Sequence, residues 1–100
     1  MYDGDWSGIT DQGKRISFKV VNNAITSLRV EYAQSICPLT YISLESFRIS
    51  GNSFTATSKF PSLTITGTFS SRDNVSGTLQ ADKSPCGEPI TVKWNANKVK

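Results

Sequence analysis

Apolar side chains return at every second position, run after run, along this chain. Ile16-Phe18-Val20, Leu28-Val30-Tyr32, Leu63-Ile65 and Ile90-Val92-Trp94-Ala96 all keep that beat. No segment holds a helical spacing of three and four for long. Alternation of this kind belongs to strands with one dry and one wet face. It restricts the chain to an all-β fold. Breaks at turn residues then give about eight short strands, near 4–10, 15–21, 24–32, 41–49, 53–58, 62–70, 74–81 and 89–96.

The turns set the register. Asp11-Gln12-Gly13 reads as a three-residue hairpin loop with glycine at the left-handed position, which places Trp6 opposite Phe18 and Gly8 opposite Ile16. A loop around Asn22-Asn23 sets Ile16 against Val30 and Phe18 against Leu28, with Tyr32 continuing the row. A two-residue Gly51-Asn52 turn pairs Ile49 with Phe54 and Phe47 with Ala56. The strand at 41–49 is the least regular: Ile42 and Leu44 fall out of phase with Phe47 and Ile49, and a bulge near Glu45-Ser46 would reconcile them.

One stretch repeats itself: I-T-G-T-F at Ile65–Phe69, then V-S-G-T-L at Val75–Leu79. An odd loop centred on Arg72 keeps the two apolar faces on one side, pairing Phe69 with Val75, Ile65 with Leu79 and Gly67 with Gly77. Glycine weakens a strand unless something needs the room. Two facing glycines let the sheet bend sharply and leave space for a large ring, with Trp94 or Trp6 as the expected occupant.

Short connections favour an up-and-down order, closed as a small barrel or packed as a two-sheet sandwich. One domain is expected over residues 1–100, with its core in 4–96 and its interior filled by side chains such as Trp6, Phe18 and Trp94. If the strands alternate direction, the loops at Asp11, Cys37, Lys59 and Cys86 share one rim, and those at Asn22, Gly51 and Arg72 the other. Two cysteines arriving at one rim favour a Cys37–Cys86 disulfide. Closing a loop of about fifty residues would be worth roughly 3–4 kcal/mol in the chain-entropy model. The alternative is two unrelated buried thiols in a reducing compartment.

Catalytic chemistry finds little to use. The chain has no histidine, which removes Ser-His and Cys-His nucleophile pairs and histidine metal sites. Two cysteines without histidine fall short of a zinc set. Asp3, Asp5 and Asp11 lie close in sequence but lack the ligand spacing of a calcium loop, and nothing in the spacing brings Glu45 and Glu88 together as a glycosidase pair. The expectation is therefore a chain with no catalytic, cofactor or metal residues. Its net charge of +3 is spread along the sequence. Arg15, Lys19 and Arg29 form the one candidate strip for nucleic acid, with Glu31 opposite Arg15. A row of outward threonines, Thr64-Thr66-Thr68 with Thr55 and Thr57 nearby, offers a hydroxyl-bearing face to sugar, ice or another strand. Loops 33–40 and 82–89 are the longest. Tyr41, Lys59 and Glu88 on their rim are the candidate binding residues, since function sits on loops held by a scaffold.

The phrases G-D-W-S-G-I-T, I-S-F-K-V and I-T-S-L-R-V, then G-N-S-F, I-T-G-T-F-S-S, V-S-G-T-L, a cysteine and V-K-W-N-A, together resemble a widespread group of small exported bacterial β domains. The resemblance covers Gly4 to Ala96. It implies a secreted or surface-anchored module without an established activity, supports the pairing of Cys37 with Cys86, and carries no functional residues across. Export would require a targeting segment ahead of Met1, since M-Y-D-G-D-W is neither a signal peptide nor a lipidation signal. No apolar run approaches a membrane span. The expected function is a non-enzymatic module binding carbohydrate, cell envelope or a protein partner through the disulfide-bearing rim. A small basic barrel binding nucleic acid is the alternative and a hydrolase a more distant one. A monomer, or a weak dimer through edge strands, is the expected state.

Overall fold

The computed structural model describes residues 2–34, 37–44, 47–59, 62–83, 85 and 87–99, with backbone only at 38–42 and 44. These form strands β1 (Gly4–Thr10), β2 (Arg15–Val21), β3 (Ala24–Gln34), β4 (Cys37–Leu44), β5 (Phe47–Arg48), β6 (Ser53–Lys59), β7 (Ser62–Phe69), β8 (Asn74–Ala81) and β9 (Ile90–Val99). All pairings are antiparallel, in one sheet of order β4-β3-β2-β1-β9-β8-β7-β6, with β5 added to β3. The sheet curls into a nearly closed barrel, not a two-sheet sandwich. Its first and last strands pair: Gly8 opposes Ala96 and Thr10 opposes Trp94.

The local turn chemistry gives the expected hairpins. Gly13 takes a left-handed φ of 75° and donates its N–H to the Thr10 carbonyl, closing the β1–β2 loop. Trp6 faces Phe18 and Gly8 faces Ile16. Asn22 and Asn23, at φ 51° and 63°, make a two-residue turn between Val21 and Ala24. The side-chain amides of asparagine tolerate that region better than most residues.

Three expectations are corrected. Phe18 does not pair with Leu28, because the β2–β3 register shifts between Ser17 and Lys19. Ser27, at φ 51°, is the extra residue. The bulge lets a two-residue turn coexist with the Ile16–Val30 pair and returns both Ile25 and Leu28 to the interior. The 33–40 loop is mostly strand: β3 runs to Gln34, β4 begins at Cys37, and those two residues pair. The expected bulge at Glu45-Ser46 lies outside the described residues, and the flanking pairs Leu28–Leu44 and Ile25–Phe47 keep one register. The Gly51-Asn52 turn forms, with Ser50 bridging Ser53. That bridge has the register the expected Ile49–Phe54 and Phe47–Ala56 pairs require, and β5 lies beside β6, but among the described residues the pairing is not continued as a ladder, while β5 pairs with β3. Finally, β9 extends to Val99, beyond the expected 96.

The paired glycines sit as the alternation requires, Gly67 opposite Gly77. On their flanks Phe54 opposes Gly67 and Trp94 opposes Gly77, so one cross-sheet row reads ring, glycine, glycine, ring. A β-carbon on Gly67 would stand 2.7 Å from Phe54 Cζ and 2.9 Å from Trp94 Cζ2. One on Gly77 would collide with the Thr66 carbonyl of the neighbouring strand. The room is thus filled by Trp94, as expected, and by Phe54; Trp6 lies elsewhere in the same cluster. There it meets Phe69 edge-on, with centroids 5.0 Å apart, lies parallel to Phe18 at 6.0 Å, and donates its indole N–H to the Tyr2 carbonyl. Phe18 in turn meets Phe54 and Trp94 edge-on at 5.8 and 6.2 Å. Such contacts each add about 0.5–1.5 kcal/mol beyond burial. The interior is packed with its own side chains.

Gly67→Ala should therefore lower stability by about 1–3 kcal/mol through overpacking. Combining it with Phe54→Leu should recover part of that loss in a urea-denaturation cycle, whereas simple additivity would mean the ring and the glycine are not coupled. Tyr32, 1% exposed in the same interior, has its hydroxyl raised above the ordinary 10.0 by burial. The unfolded chain then loses that proton first, so stability falls as pH rises past about 10. Tyr32→Phe should flatten that alkaline decline in melting temperature.

Candidate functional site

The rim that carries Cys37 is laced together by side-chain amides. Gln12, in the β1–β2 loop, exchanges two hydrogen bonds with the backbone of Ala33, both 2.8 Å long: its Nε2 donates to the carbonyl and its Oε1 accepts from the N–H. This is how one strand pairs with the next, done here by a side chain. Gln34 is buried and donates from Nε2 to the carbonyls of Asp82, Gly87 and Glu88, at 3.1, 3.4 and 2.8 Å. Asp82 continues the chain of contacts, receiving the Ser62 hydroxyl and donating its own N–H to the Ser62 carbonyl. Gln12, Ala33 and Gln34, Ser62 and Asp82, and Gly87 and Glu88 are thus tied into one surface. Thr10, buried just beneath, accepts the N–H groups of Gln12 and Lys14 at 3.2 Å each.

The candidate rim residues divide. Lys59 ends β6 opposite Ser62, and Glu88 lends its carbonyl to Gln34, so both stand on this rim with exposed side chains. Tyr41 does not. Its backbone pairs with Glu31 within β4, away from the loop, because the strand starts at Cys37 instead of 41. Cys37 is not a free thiol; Cys86 lies outside the described residues, and so does Glu45.

The three aspartates do not converge. Asp3 reaches the opposite rim, where its two carboxylate oxygens accept the N–H groups of Asn22 and Asn23 at 3.3 and 3.5 Å. Asp5 stands 3.8 Å from Lys19 with both side chains exposed, a geometry worth little in water. Asp11 belongs to the cysteine-bearing rim at the far end of β1. The basic strip is interleaved with acid: Arg15, Ser17 and Arg29 share a small depression with Glu31, and Lys19 has Asp5. The exposed large apolar side chains among the described residues are Ile9, Val21 and Val99, none of them a ring on which a base could stack.

A more promising concavity lies on the outside of the barrel, where β1, β9 and β8 run side by side. This open groove of about 500 Å³ is lined by Ile9, Thr10 and Asp11 from the first hairpin, Ser76 and Thr78 from β8, and Lys93 and Asn95 from β9, over the backbone of Gly77 and Trp94. Ile9 is 61% exposed at its edge. One end meets the laced rim at Asp11, whose N–H donates to the Lys93 carbonyl at 2.8 Å. Beside the groove, the outward threonines continue as a sheet-wide face: Thr55, Thr66 and Thr78 lie in one cross-strand row, with 3.0 Å between the last two hydroxyls.

Sequence reasoning missed Gln12, Gln34 and the groove. Gln34 had a signal, since it keeps the inward parity of Leu28, Val30 and Tyr32, and a polar residue at an inward position has to find partners. The groove had none, because its walls come from strands far apart in the chain.

The fold and its surface define a small all-β barrel with a rigid, laced mouth and an open external groove. Comparison with family models, with curated proteins and with solved structures finds no significant match.

Replacing Gln34 by leucine should cost about 1–3 kcal/mol, because three carbonyls lose their donor within a buried site. Amide exchange should accelerate selectively in residues 82–88; a uniform change over the whole chain would mean Gln34 serves general packing alone.

Proposed function

We propose that this chain is an exported, non-enzymatic binding module whose rim is closed by a Cys37–Cys86 disulfide, and that it holds a neutral, hydroxyl-rich ligand, a carbohydrate of the cell envelope or its surroundings, in the groove of β1, β9 and β8. The reading rests on one observation: an exposed isoleucine set among hydroxyl and amide groups. Ile9 offers an apolar wall for the C–H face of a sugar ring, while Ser76, Thr78 and Asn95 offer donors and acceptors for its hydroxyls. Specific ligand sites combine these two ingredients. Asp11 and Lys93, the charged groups of the lining, oppose each other in sign, so the groove favours neither an anionic nor a cationic ligand. The disulfide is supported by the contacts around it. Gln34 pairs through its backbone with Cys37 and reaches through its side chain to Gly87, the neighbour of Cys86.

Thiol titration of the unreduced protein should find none, and a glycan array should then return a neutral oligosaccharide. In calorimetry with that hit, Ile9→Ser and Asn95→Ala should each weaken binding at least tenfold, while Lys59→Ala, on the rim but outside the groove, should change it less than twofold. An array without hits, or a groove no more sensitive than the rim, would overturn the carbohydrate reading.

A further inference from the structure

The two cross-strand rows that floor the groove run on past its edge without a register shift. Ile9, Asn95 and Ser76 continue to Thr68 on β7. Lys93 and Thr78 continue through Thr66 to Thr55 on β6. From β1 to β6 the strands make four spacings, roughly 19 Å at the ordinary inter-strand distance. All these positions point outward, since the alternate ones between them hold the buried core. Beyond Lys93 the surface is uncharged: β7 and β8 contain no acidic or basic residue. The other side of Ile9 is different. Arg15 stands opposite it, and Lys19 and Arg29 follow on the same outer face.

The uncharged rows repeat the chemistry of the groove. A threonine carries a methyl and a hydroxyl on one carbon, so each joins in miniature the apolar and polar groups that Ile9 and its neighbours supply. The hydroxyls of Thr55, Thr68 and Ser76 bond no other group among the described residues. Those of Thr66 and Thr78 lie 3.0 Å apart and share one hydrogen, which leaves the second hydrogen for a ligand.

We propose that these rows and the groove form one binding surface, and that its ligand is an uncharged linear polysaccharide laid across the strands. The chain would enter over Ile9 and leave across Thr68 and Thr55. This rests on the carbohydrate reading above and adds length and direction to it. A single ring needs only the groove, whereas a chain of several units also uses the hydroxyls beyond it. An acidic chain finds no cation past Lys93, and a chain leaving across β2 meets Arg15. A peptide strand is a poor occupant of this face, because β7, β8 and β9 already have neighbours on both sides.

The test is an array of neutral glucose, xylose, mannose and N-acetylglucosamine chains, graded from two to eight units and probed with the whole chain. In a series that binds, six units should bind at least tenfold more tightly than two. By calorimetry, Thr66→Ala and Thr68→Ala should each weaken the six-unit chain at least threefold and leave the two-unit chain within twofold. Ile9→Ser should weaken both lengths, and Ser17→Ala, on the charged side, neither; near-ultraviolet circular dichroism checks that each variant is folded. Equal affinity for two and six units, or threonine variants that weaken both lengths alike, overturns the extended surface and leaves the groove reading standing. An array with no signal at any length, or one that favours uronic-acid chains over neutral chains of equal length, overturns the neutral-carbohydrate reading and this proposal with it.

Discussion

A sheet of eight strands this short can curl back on itself only if its inner face has somewhere to put its largest rings. Here the row Phe54, Gly67, Gly77 and Trp94 supplies that place. The glycines have no side chains to oppose the bend, and the backbones of β7 and β8 approach so closely that a β-carbon on Gly77 would meet a carbonyl. The rings close over the gap from either flank, an arrangement that compensates glycine in a sheet. Phe18, Trp6 and Phe69 then stack outward from this row, and Tyr2 lies against Phe69 with centroids 4.1 Å apart. The curvature brings β1 to β9, and with it the walls of the groove.

Much of this was legible because each local choice agreed with the next. Gly13 and the loop at Arg72 each demanded one turn geometry, and alternation of apolar residues demanded one register for each of those two hairpins. Legibility failed where a local signal was silent or misleading. Ser27 takes a left-handed conformation that serine does not advertise, and Pro38 beside Cys37 looked like loop although it stands in an edge strand. The pairing of β1 with β9 joins the two ends of the chain and leaves no trace in any short window. The groove depends on that pairing, which is why no short window of the sequence pointed to its residues.

Rim and groove suit one another mechanically. Gln34 binds the mouth from inside with a group whose loss would leave carbonyls unpaired in a largely dry place, and Gln12 ties the outer surface of the same mouth to Ala33, so the segments there are held by hydrogen bonds. The opposite rim is held by asparagines in the same way: Asn23 donates to Ile49, Asn52 to Phe69 and Asn74 to Asn97. Between two stiff ends, the outer faces of the strands are free to be polar and uniform, and the exposed Ile9 stands out against that background.

The pairing of Asp5 with Val99 has a geometrical consequence. The two ends of the chain leave the barrel side by side, next to the Asn22 turn and at the pole opposite the cysteine-bearing mouth. Anything tethered to either end, whether a neighbouring module or an anchor, therefore attaches at the base of the barrel. The laced mouth and the near end of the groove are held aloft, facing away from the point of attachment.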